Sequence, residues 1–273
     1  KTPRYRALIC RWNVVLPDLG ALAGFALALA DLARTTAQGF VDPRGAAVLK
    51  ADRSFVTALD LQIEAALRAA IMGQFPDHGI LGEEAGGERL AAGWVWVIDP
   101  IDGTAPFIAG VPVWGTLIAL CHRGEPVIGI IDLPASDRRL LGVRGQRTTE
   151  NGKPVRTSDC RDLSAAIAAV CNPDFFPKPD RPVLARLETA TAWRIYGAAC
   201  LSYAQLATGL IDLHVDCGFK PHDLMALRPV IEGAGGVIGD WQGRPITLHG
   251  DGTVLMAATR DVFDQARRRV ISG

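Results

Sequence analysis

Two carboxylates at the end of an apolar segment are the residues of this sequence that bear most clearly on chemistry. Residues 94–98 have the aromatic and β-branched composition of a buried strand, and Asp99 and Asp102 follow it closely. Pro100 stiffens the link between them, so both carboxylates can converge on one point, where they repel unless cations lie between them. Oxygen ligands of this kind select Mg²⁺ or Mn²⁺ over zinc, and pairs of divalent cations suit phosphate chemistry.

Two backbone amides follow these acids directly, at Gly103 and Thr104. If a helix begins there, its first amide groups have no partners within the helix and can donate to an anion. The sequence therefore predicts that a cation site and a phosphate site share one turn of the chain.

Further acids in the first half of the chain favour a site over a simple turn. Asp99 and Asp102 alone would equally fit the caps of a turn and a helix, and Glu83 and Glu84 alone would fit a solvated pair. Together with Asp60, these acids lie at the edges of apolar segments. Their joint occurrence makes coincidence improbable, so we expect one carboxylate-rich site.

These segments, in this order, resemble the inositol monophosphatase superfamily from about residue 50 to the end of the chain. The stretches that carry the resemblance are Asp-Pro-Ile-Asp-Gly-Thr at 99–104 with Phe107, Gly110 and Pro112, Lys-Pro-His-Asp at 220–223, and Ile-Glu-Gly-Ala-Gly-Gly at 231–236. The resemblance implies a Mg²⁺-dependent phosphomonoesterase that hydrolyses the phosphate ester of a small alcohol by attack of a metal-activated water.

The resemblance also implies a cluster of two or three Mg²⁺ ions per site. Glu83, Asp99 and the carbonyl oxygen of Ile101 would hold one ion, and Asp99, Asp102 and Asp223 would hold a second. A third, looser ion would lie near Glu83.

The catalytic roles follow from the same resemblance. Glu83 and Thr104 would orient and deprotonate the attacking water, and Asp60 would support Thr104 through a hydrogen bond. The backbone amides of Gly103 and Thr104 would hold the phosphate oxygens.

Three residues near these motifs would also fit ordinary structural roles. Asp223 begins a predicted helix and by itself would fit an N-cap. His222 fits a pocket or packing residue, since the ligands implied here are oxygen atoms. Lys50 fits either a charge partner of the cluster or a surface lysine.

The substrate is less sharply defined than the reaction. The framework is most similar to bacterial histidinol-phosphate phosphatases, but Ala199 stands where those enzymes usually carry an aspartate that can pair with the substrate's ammonium. A wall formed by Asp102, Arg194, Ala199, Asp216 and Asp223 is expected to contact the alcohol. Asp216, where the family more often has glutamate, would also fit an exposed turn acid.

Histidinol phosphate, inositol monophosphate and another sugar or polyol phosphate therefore all stay open as substrates. A hypothesis from another class is a regulatory interaction protein on a phosphatase scaffold. The presence of all five implied ligand and catalytic residues argues against it: Glu83, Asp99, Asp102, Thr104 and Asp223.

The elements that must position these residues predict an α+β protein. We expect helices near 16–38, 57–71, 200–209 and 223–233 and from 261, and strands near 94–98, 114–121, 126–133 and 211–215. The resemblance implies the layered α/β/α/β/α sandwich of the sugar-phosphatase fold. We expect an N-terminal lobe at 1–150 with most metal ligands and a C-terminal lobe at 151–273 with Asp223 and the substrate wall.

Composition limits the partners and the compartment. The formal net charge is +0, so no overall field attracts nucleic acid or an anionic membrane. The apolar run at 19–30 is too short to cross a bilayer, and six scattered cysteines fit reduced thiols in the cytoplasm. By resemblance we also expect a homodimer and inhibition by lithium.

Overall fold

The computed structural model describes residues 18–38, 47–51 and 54–272. The helices are α1 (Leu19–Ala37), α2 (Ala58–Gln74), α3 (Thr104–Ile108), α4 (Pro182–Ala190), α5 (Ala199–Ala207), α6 (Pro221–Leu224), α7 (Leu227–Gly233) and α8 (Arg260–Ala266). The strands are β1 (Val48–Leu49), β2 (Phe55–Val56), β3 (Gly79–Gly82), β4 (Gly86–Glu88), β5 (Trp94–Asp102), β6 (Gly115–His122), β7 (Glu125–Leu133), β8 (Arg138–Val143), β9 (Thr149–Glu150), β10 (Lys153–Pro154), β11 (Ile167–Val170), β12 (Trp193–Tyr196), β13 (Leu213–Asp216), β14 (Val237–Gly239) and β15 (Val254–Ala257).

These strands form two large sheets and one small hairpin. The first sheet has the order β10-β9-β8-β7-β6-β5-β3-β4, and the second has the order β12-β11-β13-β15-β14. Most pairs are antiparallel, while β3 with β5 and β11 with both of its neighbours are parallel. β5 and β13, which carry acids of interest, therefore lie in the interiors of their sheets.

The sheets and helices stack as five layers. On one face of the first sheet, Trp96 and Ile98 of β5 pack with α1 and α2; on the other face, Val95 and Val97 pack with α5 and α7. The second sheet covers the far side of that middle helical layer, and α4 and α8 cover the sheet's outer face. Because successive side chains of a strand point to opposite faces of the sheet, each strand contributes to two cores. The predicted α/β/α/β/α layering is confirmed.

Most predicted elements are present, with two differences of detail. The helix expected at 223–233 is divided into α6 and α7, and the new start at Leu227 places Pro229 in a first turn, where its missing N–H is not needed. The strand expected at 94–98 continues to Asp102. The first sheet ends at Pro154 and the second begins at Ile167; the lobe boundary at 150/151 stays a prediction.

Helix α1 is long and apolar enough by composition to cross a membrane. It packs through a stripe of small and apolar residues, including Ala26, Leu29 and Ala30, against α2 and the first sheet. This helix therefore has the buried face of a core helix, which is the role expected for the apolar run at 19–30.

A buried ion pair on α2 fixes the segment that follows β3. The Glu64 carboxylate accepts from Arg68 Nε at 2.8 Å, from the amide of Glu84 at 2.8 Å and from the amide of Ala85 at 3.0 Å. Both side chains of the pair are almost completely buried, whereas Glu88, a second partner of Arg68, has a side chain that is 48% exposed. The pair thus ties α2 to the loop that carries Glu83.

Replacing Glu64 with alanine tests this tie. The change leaves the Arg68 guanidinium buried without its main partner, so we expect the free energy of unfolding to fall by about 3 kcal/mol. The control Glu88→Ala removes only an exposed partner and should cost less than about 1 kcal/mol. Urea denaturation measures both values, and equal losses in the two variants would contradict the assignment.

Candidate active site

A bulge in β5 brings two carboxylates together. Asp99 pairs with Leu117 of β6 and Asp102 pairs with Gly115, so β5 has one more residue than β6 between these two pairs. In a regular strand, residues three apart point to opposite faces, and one inserted residue restores a common face. The Thr116 hydroxyl donates to the carbonyl of Pro100 at 2.8 Å and fixes the bulge.

The third acid of this cluster comes from α6. One carboxylate oxygen each of Asp99, Asp102 and Asp223 lies within 4.8 Å of the others. Asp223 also accepts from the backbone amide of Lys220 at 2.5 Å, at the start of α6. Asp223 is thus not the N-cap that the plainer interpretation proposed: Lys220 is the N-cap, and the Asp223 carboxylate at the third helical position accepts from its amide and also lies in the cluster.

This cluster fits a cation on the chemistry of its own atoms. Asp99 Oδ1 and Asp102 Oδ2 are buried and have no hydrogen-bond partner among the described residues. Burying an unpaired acceptor is costly, and burying an unpaired charge is more so. Oxygen donors arranged in this way suit a hard divalent cation such as Mg²⁺ or Mn²⁺.

Burial and mutual repulsion disfavour the charged forms of these acids. Burial raises the pKa of Asp99 well above its ordinary value, and the charges of Glu83, Asp102 and Asp223 add to the effect. Burial likewise raises the pKa of Asp102 to about 7 and that of Asp223 to about 6. A bound cation would favour the ionised forms and so reverse these shifts.

Glu83 lies next to the cluster, immediately after β3. Its backbone amide donates to the carbonyl of Ile98 at 3.2 Å, and burial raises the pKa of its carboxyl group. Lys50 Nζ lies 3.3 Å from Glu83 and 2.6 Å from Glu84. Lys50 is therefore a charge partner of the acids at this edge, and the pair Glu83–Glu84 is not simply solvated.

His222 is a neutral neighbour of the cluster. Its Nε2 lies 3.9 Å from Asp223 Oδ1, and burial lowers the pKa of the ring. The side chain thus contributes packing and a polar atom beside Asp223, as a pocket residue would.

The Thr104 hydroxyl is placed between two acceptors. It donates to the carbonyl of Ile101 at 3.0 Å and lies 3.5 Å from Asp60 Oδ1. The other oxygen of Asp60 accepts from the Thr57 amide at 2.8 Å and hydroxyl at 2.5 Å, at the start of α2. Since a hydroxyl has one hydrogen, Thr104 can donate to only one acceptor at a time, and the contact with Ile101 is the shorter.

Helix α3 begins at Thr104, so the helix start that the sequence analysis treated as a condition is present, and Gly103 precedes it with φ +85°. A Cβ atom at position 103 would lie 2.8 Å from the Cβ of Ala199. The Gly103 loop therefore lies against Ala199 of the predicted substrate wall, and glycine is required there for conformation and for space.

The residues predicted for the substrate wall differ in their placement. Ala199 is buried at the start of α5 with φ +41°, beside Gly103. Asp216 is fully buried at the end of β13, so the interpretation as an exposed turn acid is wrong. Arg194 Nη1 donates to the carbonyls of Glu188 and Thr191, and the structure records no contact between its guanidinium and the cluster in the described residues.

A polar group that the sequence reasoning missed lies behind this wall. His214 Nε2 is 2.9 Å from Asp216 Oδ2, and the same oxygen accepts from the amide of Cys171 at 2.7 Å. His214 and Asp216 are two residues apart on one strand, which places them on the same face. That spacing is a signal that could have identified the pair.

The chain is thus a five-layered α+β protein with a carboxylate cluster at an interior bulge of its first sheet, and this cluster suits a hard divalent cation.

Comparison with known proteins gives the family. A model of the inositol monophosphatase family matches residues 19–270. The chloroplastic bifunctional phosphatase IMPL2 of Arabidopsis thaliana is 38% identical over 258 residues, which are 91% of this chain and 75% of that protein. A histidinol-phosphatase of Chlorobaculum parvum is 34% identical over 241 residues, 87% of this chain and 91% of that one.

A solved structure agrees with these relatives. An inositol monophosphatase from Zymomonas mobilis superposes with a TM-score of 0.82 and 33% identity, covering 93% of this chain and 99% of that one. The chain belongs to the inositol monophosphatase family, and it is a phosphatase of small phosphate esters.

The raised carboxyl pKa values predict how the cation-free protein responds to pH. A pKa raised by folding contributes stability at low pH, where the acids are protonated, and that stability is lost as the pH rises through the folded value. For Asp223 and Asp102 these values are about 6 and about 7. With a chelator present, we therefore expect the melting temperature to fall between about pH 5 and about pH 8.

The variant Asp102→Asn is the control for this measurement. It removes one titrating group while keeping the side-chain shape, so its melting temperature should fall less over the same pH range. Differential scanning fluorimetry gives both curves. Parallel curves for the wild type and the variant would show that the cluster does not titrate in this range.

Proposed function

We propose that this phosphatase is a Mg²⁺-dependent phosphomonoesterase whose cations are held at the bulge of β5. The observation that carries the proposal is the pair of buried oxygens without partners, Asp99 Oδ1 and Asp102 Oδ2, close to Asp223. Asp99, Asp102 and Asp223 would hold one ion, and Glu83, Asp99 and the Ile101 carbonyl would hold another. A third, looser ion would lie near Glu83.

The cations and the side chains would have different roles in the hydrolysis. Bound divalent cations make water a better nucleophile near neutral pH and stabilise charge on the phosphoryl group and the leaving oxygen. Glu83 and Thr104 would orient the water and accept its proton.

Two neighbours support these roles. Asp60 lies 3.5 Å from the Thr104 hydroxyl and can accept from it when the Ile101 carbonyl is engaged elsewhere. The backbone amides of Gly103 and Thr104 would hold the phosphate oxygens, beside Ala199.

The alcohol would lie against Asp102, Ala199, Asp216 and Asp223. The names of the relatives favour histidinol phosphate or inositol monophosphate as the substrate, with another sugar or polyol phosphate as the alternative. Arg194 is a weaker member of this wall, since its guanidinium donates to carbonyl groups at the end of α4. We further propose a cytoplasmic homodimer, by analogy with the family.

Replacing Asp99 with asparagine tests the ligand assignment. The amide lacks the charge that a divalent cation requires, so we expect Mg²⁺-dependent release of inorganic phosphate to be abolished while the fold is kept. The matched control is Asp137→Asn, because the Asp137 side chain is 88% exposed and its ion pair among the described residues is with Arg34 at the surface. Retained Mg²⁺-dependent turnover in the Asp99 variant would refute the assignment.

Lithium gives an independent test of the cation sites. A monovalent ion that enters a Mg²⁺ position cannot supply the same charge, so we expect Li⁺ to inhibit phosphate release and the inhibition to depend on the Mg²⁺ concentration. Steady-state assays over a grid of both ions measure the effect. Turnover that is indifferent to Li⁺ would count against the shared mechanism.

A further inference from the structure

His214 is a fully buried side chain, and each of its two ring nitrogens has a polar neighbour within 3.3 Å; the Cys171 sulfur lies farther from Nε2, at 3.9 Å. Nδ1 lies 3.3 Å from the hydroxyl oxygen of Ser202 on α5, and Nε2 lies 2.9 Å from Asp216 Oδ2. His214 and Asp216 are both 0% exposed. Their protonation states are therefore set by the hydrogen bonds around them and not by solvent.

The Ser202 hydroxyl determines the state of Nδ1. Its oxygen lies 2.6 Å from the carbonyl oxygen of Ala199, a distance that requires the hydroxyl hydrogen between the two oxygens. A hydroxyl has a single hydrogen to donate. In its contact with His214, Ser202 is therefore the acceptor, and Nδ1 carries a proton.

The protonated Nδ1 then determines the state of the contact with Asp216. A neutral ring with its proton on Nδ1 has a bare Nε2, which would face a carboxylate oxygen at 2.9 Å with no hydrogen between two acceptors. A second proton is required. It gives either an imidazolium beside a carboxylate or an imidazole beside a carboxylic acid, and in both cases the pair has no net charge.

The other groups around Asp216 do not restore a charge. The same Oδ2 accepts from the amide of Cys171, which is compatible with either form of the acid. The Cys171 thiol lies 3.2 Å from the Tyr203 hydroxyl, and burial raises the pKa of both groups well above their ordinary values. Both are therefore uncharged, and this part of the wall is neutral.

This group of residues is joined to the phosphate loop. The Ala199 carbonyl that accepts from Ser202 belongs to the residue whose Cβ lies against Gly103. The His214–Asp216 pair is thus connected through Ser202 and Ala199 to the Gly103 loop, and Asp216 belongs to the wall proposed to hold the alcohol.

We infer that His214 is a specificity-determining positioning residue that neutralises Asp216, so that the site prefers the phosphate ester of an uncharged polyol to that of an amino alcohol. An ammonium group would find a methyl at Ala199 and a neutral pair at Asp216, whereas hydroxyl groups can hydrogen-bond without a counter-charge. The substrate preference rests on the proposed function; the proton count rests on the hydrogen bonds alone.

The first experiment reads the proton count directly. Nitrogen-15 NMR of histidine-labelled protein, with His214→Gln for assignment, distinguishes a protonated ring nitrogen from a bare one. We expect Nδ1 of His214 to be protonated at neutral pH. A bare Nδ1 would mean that Nε2 alone carries the proton beside an ionised Asp216, and would overturn the inference.

The second experiment reads the preference. In the wild type, kcat/KM should be at least about tenfold higher for inositol 1-phosphate than for histidinol phosphate, the lower end of what a lost charged hydrogen bond costs. Histidinol phosphate leading in the wild type would overturn the inference.

Two variants test whether His214 determines the ratio of kcat/KM for the two esters. Ser202→Ala removes the acceptor of Nδ1, so the ring can be neutral and donate from Nε2 to an ionised Asp216. His214→Gln can donate an amide hydrogen to Asp216 but cannot transfer a proton to it. Both leave Asp216 charged, so the ratio should move about tenfold toward histidinol phosphate in each.

If His214 had only a packing role, both variants would lower kcat/KM for the two substrates by the same factor. An unchanged ratio of the two kcat/KM values in folded variants would therefore overturn the inference. If neither ester is hydrolysed by the wild type with Mg²⁺ present, the proposed function fails and the preference with it. The NMR result would still decide the proton count.

Discussion

The repulsion among buried carboxylates at the bulge of β5 is the constraint on which the rest of the structure depends. Asp99 is 1% exposed and Asp102 is 9% exposed, and both have an oxygen without a hydrogen-bond partner. A buried charge without a partner costs several kcal/mol, so such a cluster persists only where surrounding packing holds it and cations or protons offset its charge. The raised pKa values are the expression of this constraint in the cation-free protein.

Three different parts of the chain hold these carboxylates: β5, the loop after β3 and α6. Two separate cores clamp β5 from its two faces, so the backbone at 99–102 cannot relax to separate its acids. Glu64 on α2 fixes the loop that carries Glu83, and the amide of Lys220 fixes Asp223 at the start of α6. The interior of the protein thus supplies the rigidity that a cation site needs, while the acids themselves oppose folding.

The main acids of the site could be predicted from the sequence because each lies in, or directly after, a short segment that is recognisable by itself. Asp99 and Asp102 follow a recognisable apolar segment, and Asp223 lies within a recognisable motif. The bulge was not predicted, because it depends on the register between β5 and β6, which no single segment contains. The break between α6 and α7 lies at Ala226, whose backbone approaches Gly129 of β7 so closely that a Cβ there would clash, a contact between distant segments.

The second half of the site was harder to predict for a related reason. Asp216 precedes Gly218 and so fits a turn, but β13 is the central strand of the second sheet and buries it. The relation of His214 to Ser202 exists only once β13 and α5 are packed together. Period-two spacing indicates that His214 and Asp216 share a face, but the proton between them depends on a hydroxyl from another element.

The account rests on a divalent cation at the bulge of β5, and anomalous diffraction from crystals of the protein soaked in Mn²⁺ tests this most directly. The account predicts a strong anomalous peak in direct contact with carboxylate oxygens of Asp99, Asp102 and Asp223. Full occupancy of Mn²⁺ elsewhere in the crystal, with no peak among these three side chains, would contradict it.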